Sequence, residues 1–247
     1  MIRIFFAVFY VLFISSVVQA KCEDEAQAGV NWTGCDKSAL DLNGVDLKGA
    51  ILRRVNFTET NLSGARLQGA DLNFSILEKT NFSGARLEKA RFNNAKINAA
   101  DFSDAIMDEA RFSRTSIKQT VFSSARLNKT YFYEVKIINS RFDNAELNKA
   151  DFSWAKLAGT NFQGVNAQQA IFNQADLEKA DFTSASLKSA KFEEASLLDA
   201  KFNQADLSGA SIRGAIIDGA SFGKAKLSST IWVRYQRCRN GSVGVCE

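Results

Sequence analysis

The side chains able to do chemistry are few in this chain. None of its 247 residues is His, which removes Ser-His-Asp and Cys-His nucleophilic units, HExxH zinc sites and imidazole pH switches. Carboxylates stand side by side at Asp108-Glu109 and Glu193-Glu194, but general acid-base work needs a desolvated pocket that tunes their pKa values. Cys22, Cys35, Cys238 and Cys246 lack the CxxC spacing of a zinc site. With 31 basic and 27 acidic residues the net charge is +4, short of the basic excess that binding a polyanion usually shows. No catalytic residue, metal or cofactor is therefore expected, and no nucleic-acid partner.

The elements that must position any functional group repeat every five residues. From residue 40 to 232, positions ending in 2 and 7 are Leu, Phe, Ile or Met, and positions ending in 5 and 0 are mostly Ala, Thr, Val or Ser. Ala70-Asp71-Leu72, Ala150-Asp151-Phe152 and Ala205-Asp206-Leu207 are examples. The large centres run from Leu42 to Trp232 in 39 uninterrupted pentads, and only Ala167 is small. A period of five fits neither the 3.6 of a helix nor the 2.0 of a strand. It fits a solenoid in which each pentad makes one side of a coil, with the centre and the residue two before it pointing inward. A narrow coil holds one large side chain per side only if the second is small; of the 39 second positions, 25 are Ala.

These residues resemble the pentapeptide-repeat family, whose consensus is A(D/N)LXX. The resemblance covers residues 40–232 and implies an all-β fold, a right-handed quadrilateral parallel β-helix with four pentads per coil and about ten coils in a rod roughly 47 Å long at strand spacing. Every tenth residue from Phe82 to Phe202 is Phe, while the centres between are mainly Leu, with Ile97, Met107 and Ile137. Four pentads per coil then put Phe on two opposite sides, in two stacks. Phe57, Leu62 and Leu72 break this phase, so the first two coils are expected to pack differently. The chain has no Pro, as suits a ladder in which each coil donates backbone hydrogen bonds to its neighbours.

Residues 1–20 read as a signal peptide: Arg3, an apolar run over Ile4–Val18, and a small-residue cleavage site at Val18-Gln19-Ala20. The alternative is an uncleaved N-terminal anchor. After cleavage no stable membrane insertion is expected. A solenoid leaves unpaired ends that need caps. Residues 21–39 and 233–247 fall outside the repeat, and each holds two cysteines. The ends of such a rod lie too far apart for a disulfide, so Cys22 is expected to pair with Cys35 and Cys238 with Cys246. Trp32 and Trp232 are expected to close the core. Disulfides and signal peptide agree on an exported protein, periplasmic or secreted.

Function must then lie at outward positions. Among residues just before each centre, 13 are Asp or Asn and 12 Lys or Arg, an interspersion that argues against the acidic, DNA-mimicking surface of the family's gyrase-binding members. Two irregularities stand out. Lys96, Lys118, Lys136 and Lys156 share one side in successive coils and form a candidate anion-binding strip. Tyr131, Tyr133 and Trp154 fall on one side of adjacent coils, with Phe74 further down and Ile138 on the neighbouring side, as a candidate contact for a protein or glycan. Asn-x-Ser/Thr triplets such as Asn81-Phe82-Ser83 arise automatically from the repeat and carry no assignment. The expectation is a non-catalytic exported scaffold or interaction surface, monomeric or dimeric, with an unspecified partner. The alternative is an inhibitor or protector of a macromolecular target, as in the gyrase-binding members.

Overall fold

The computed structural model describes residues 21–247, and the expected signal peptide lies outside the described residues. One pentad shows why five residues make one side. Ala100 and Phe102 point inward and are buried, while Asp101 and Ser103 face out. The Asp101 carboxylate accepts from the Ser103 amide at 2.9 Å and from its hydroxyl at 2.6 Å. Asp104 then takes a φ of 57°, and the Ala105 amide donates to the Phe102 carbonyl at 3.1 Å. This is a type II turn, which needs a positive φ at its third residue. The same Asx contact recurs at Asn81, Asp151 and Asp181, which explains why Asp and Asn are favoured before the centre.

Residues twenty apart pair in parallel from Asn31↔Ile51 to Ser211↔Ile231, so four pentads make one coil of a right-handed quadrilateral β-helix. We number its sides by their centres: the first carries Leu72, Phe92, Phe112 and Phe132, the second Leu77, Ile97, Ile117 and Ile137, the third Phe82, Phe102 and Phe122, and the fourth Leu87, Met107 and Leu127. Among the described residues, only on the second side do consecutive coils form strands, β1 (Ile76–Glu78), β2 (Lys96–Asn98), β3 (Ser116–Lys118) and β4 (Lys136–Ile138), in one parallel sheet in that order. Three of these four strands are centred on Ile. A β-branched centre favours extended backbone.

Two Phe columns fill the interior. Rings twenty residues apart stack with centroids from 4.5 Å (Phe132–Phe152) to 5.2 Å (Phe202–Phe222). Rings ten apart meet edge to face, as Phe102 and Phe112 do at 6.4 Å and 89°. Offset and edge-on contacts are the arrangements that ring quadrupoles favour. Where Thr replaces Ala inside, its hydroxyl donates to a carbonyl of the preceding coil, Thr80 to Phe57 and Thr115 to Phe92 at 2.8 Å each. Thr160 is the exception among the described residues, its buried hydroxyl having no partner, which costs desolvation that the others avoid.

The N-terminal end differs from the sequence reading. Residues 21–39 were expected to form a cap outside the repeat, yet the Gly29 amide already donates to Lys48 and the Trp32 amide to Ile51. Trp32 occupies a centre, buried edge-on to Phe57 at 6.5 Å. Lys37 stands where the next apolar centre would be, with its ammonium 4.0 Å from the Trp32 ring and donating to the Cys22 carbonyl. A cation at this half-open end of the core hides the repeat. The Cys22–Cys35 disulfide ties this coil together across a Cα separation of 5.5 Å. At the other end Trp232 packs 5.1 Å from Phe222. The chain then folds back antiparallel, pairing Arg237 with Ile231 and Val243 with Lys226, and Cys238–Cys246 closes that segment. The last coil's edge is thus paired within the chain.

Candidate interaction sides

The aromatic candidates lie on the first side, where backbone bonds to both neighbouring coils fix them. The Tyr131 amide donates to Ala110 and its carbonyl accepts from Phe112, both in the preceding coil, and the Trp154 amide donates to Asn173 in the following one. Tyr131 stands in register between Arg111 and Asp151. The Arg111 guanidinium lies 5.2 Å from the Tyr131 ring centroid, a cation–π contact. Tyr133 follows two residues on, so its ring faces the same way. Beside it Arg114 donates to Glu134 at 2.9 Å. The hydrogen bond to Glu134 holds the Tyr133 phenol above its ordinary pKa, and the bond from Arg114 holds Glu134 below its own. Shallow depressions of about 460 and 360 Å³ lie against this group, one lined by Arg91, Arg111 and Tyr131, the other by Arg111, Arg114 and Tyr133.

Trp154 sits one coil on, at the corner between the first and second sides. It is 53 % exposed, with a φ of 62°. Left-handed backbone disfavours bulky side chains. Among the described residues the corner aromatics at positive φ are Phe74, Trp154 and Tyr235. Phe74 and Tyr235 each lie under an arginine, Arg54 at 5.7 Å and Arg213 at 5.6 Å. The Trp154 indole has no ring, cation or hydrogen-bond partner among the described residues.

The five candidates do not form one cluster. Tyr131, Tyr133 and Trp154 come together, but Phe74 is four coils below Trp154 in the same corner column. Ile138 lies around the corner in β4, in register with Lys118, and so belongs to the lysine strip. Sequence reasoning missed the arginines of the first side, because Arg111 and Tyr131 are neighbours only once the chain closes every twenty residues. It also passed over exposed Ile76, Ile216 and Tyr235. Lower on the first side, Asp71 is buried between Arg53 and Arg91, with Arg91 at 3.3 Å.

The lysine candidates all lie on the second side, in two columns. Lys96, Ser116 and Lys136 are consecutive partners across β2, β3 and β4, and Lys136 pairs with Lys156. Lys118 occupies the parallel column beside Ser116. The carboxylate pairs are engaged elsewhere: Asp108 with Arg126, Glu109 with Lys89, Glu193 with Arg213 and Glu194 with Gln174. Among the described residues no group of three Asp, Glu or Cys is placed to hold a metal ion.

A family model for the pentapeptide repeat region matches residues 75–152 and 145–222, and one for pentapeptide repeats (8 copies) matches residues 41–73. The chain belongs to the pentapeptide-repeat family. Solved structures similar to this pentapeptide-repeat protein include HetL, involved in heterocyst differentiation regulation in the cyanobacterium Nostoc sp. strain PCC 7120. HetL is 24 % identical, with 86 % of this chain and 93 % of its own covered and a TM-score of 0.49. QnrB1, a plasmid-mediated fluoroquinolone resistance protein, is 20 % identical over 75 % of this chain and 88 % of its own, with a TM-score of 0.41. A pentapeptide repeat protein from the Arabidopsis thaliana thylakoid lumen is 21 % identical over 57 % and 70 %, with a TM-score of 0.16. A comparison with curated proteins finds no match. The two disulfides of this family member fit an oxidising, extracytoplasmic environment.

Proposed function

We propose that the protein is a non-catalytic, exported interaction rod, and that the Tyr131, Tyr133 and Trp154 edge is its contact for a protein or glycan partner. The observation that carries this reading is Trp154: a large exposed ring at a left-handed corner, adding nothing to the core and with an idle indole N–H. Trp, Tyr and Arg are the side chains that dominate binding energy at interfaces, and here two tyrosines and Arg111 adjoin the tryptophan. Each aromatic side chain has few rotors and stands on a rigid ladder, so little entropy is lost on contact. A convex rod with shallow depressions suits recognition better than catalysis, which favours an enclosed pocket. Residues 1–20 serve in this reading as a cleaved signal peptide.

The test is capture from an exported fraction with the wild type and with Trp154→Ala/Tyr133→Ala. The double variant is expected to lose the partner by tenfold or more while its unfolding temperature stays unchanged. Equal capture by both would refute the assignment of the edge.

A further inference from the structure

The second side differs from the other three in backbone and in charge. Its coils carry the only continuous strands among the described residues, β1 to β4. Residues 95–99, 115–119, 135–139 and 155–159 on this side hold Lys96, Lys118, Lys136 and Lys156 and no carboxylate. None of the four lysines enters an ion pair among the described residues, although thirteen such pairs form elsewhere. The nearest acids bound the strip: Glu78, accepting from Asn98, below and Asp176, in register with Lys156, above. At the corner Glu134 is neutralised by Arg114.

The spaces between the lysines are filled by short groups, Asn98, Ala99, Ser116, Ala158 and Gly159. The four ammonium groups are therefore the protruding charges of this face, around a shallow depression of about 450 Å³ that Glu78, Lys96, Ser116 and Lys118 help to line. Like charges one strand spacing apart repel unless an anion intervenes. The Ser116 hydroxyl, between Lys96 and Lys136 in the ladder and beside Lys118, has no protein partner among the described residues. Apolar side chains interleave with the cations: Ile76, 41 % exposed, precedes Lys96 in the ladder, and Ile138 follows Lys118.

We propose that this side is a docking surface for an anionic phospholipid bilayer. A rigid array on one side of the rod lets all four lysines meet a planar surface of phosphate esters at once. Ile76, exposed at the lower end of the strip, adds an apolar contact beside the charges. Single-stranded nucleic acid fits less well, because it needs aromatic platforms among the cations and the aromatics here are on another side. The inference does not depend on the partner assigned to the aromatic edge.

The full sequence is expressed, and protein recovered from the exported fraction is floated with vesicles of phosphatidylcholine alone or with one third phosphatidylglycerol, at low and high salt. Wild type is expected on the anionic vesicles at low salt, released at high salt, and at least tenfold less on neutral ones. Each lysine lost should weaken binding about fivefold at low salt, so Lys136→Gln/Lys156→Gln falls roughly 25-fold. Lys96→Gln/Lys118→Gln/Lys136→Gln/Lys156→Gln should drop to the neutral level with an unchanged unfolding temperature, and Trp154→Ala/Tyr133→Ala should keep a preference for anionic vesicles. Equal binding to both vesicle types overturns the proposal, as does full binding by the quadruple variant. Retention on soluble dextran sulfate by protein that ignores both vesicle types would assign the strip to a polyanion instead.

Discussion

The first and second sides share one core and one ladder, yet they offer partners opposite things. On the first side each pentad ends in a closed type II turn, and Trp154 is thrust from such a corner. On the second side the pentads of β2, β3 and β4 lack the turn-closing bond to their own centre. The Thr120 amide, for example, donates to the Ser140 hydroxyl at 3.1 Å. Ile97, Ile117 and Ile137 lie in these flat strands, but so does Leu77, while Ile212 and Ile217 close turns, so the type of the centre does not by itself set the shape of a side. The lesson is that sides sharing one core and one ladder can still differ in corner shape, while the outward residues decide what each face meets.

The largest effect should come from breaking what the two sides share. Phe132→Ala removes a ring stacked between Phe112 and Phe152 at 4.9 and 4.5 Å and should cost about 3 to 5 kcal/mol in urea unfolding, weakening both surfaces together. Loss of one surface alone would show that they are not built on a common core. Next, Cys238→Ser/Cys246→Ser should cost about 2 to 4 kcal/mol and expose the edge covered by residues 237–243. Self-association in sedimentation should then rise, and an unchanged monomer would argue against the capping role. Replacing Ile97, Ile117 and Ile137 by Leu is nearly volume-conserving and should cost under about 1.5 kcal/mol per site. Because Leu77 already centres β1, amide exchange at residues 118–120 and 138–140 should stay unchanged; faster exchange would make the methyl branch the cause of flatness.

The smallest effect concerns Glu134 on the aromatic edge, whose pKa is held down by the hydrogen bond from Arg114. A depressed folded pKa gives stabilisation that is present above the ordinary carboxylate value and lost as the pH falls through the folded one. The unfolding temperature should therefore dip slightly below about pH 4, and Glu134→Gln should make that dip shallower, the rest coming from carboxylates such as Glu59 and Asp143 that are held down in the same way. An identical acid profile in the variant would show that this ion pair contributes nothing.

Much of the fold was legible because the repeat is local: Ala two before Phe or Leu states inward and outward within three residues, and ten-residue Phe spacing states the stacks. The start of the coil was not, because Lys37 occupies a centre over Trp32 where the core opens. The site was harder, since its contacts run twenty residues apart. Arg111 over Tyr131, and Ser116 between Lys96 and Lys136, are pairs that no five-residue window contains. Sorting the outward residues by twenty brings out the lysine column, but it does not tell that Trp154 has no partner, which depends on what every neighbour is doing.

The central claim is that a partner meets this rod at the corner bearing Trp154. A photo-crosslinking residue placed at Gln174, one coil on in the same corner column, leaves Trp154 in place and tests it directly, with the same residue at Ser103 on the third side as reference, each expressed in cells and exported. The account predicts a discrete adduct from position 174 and none from 103. Adducts of equal yield from both positions, or from 103 alone, would contradict it.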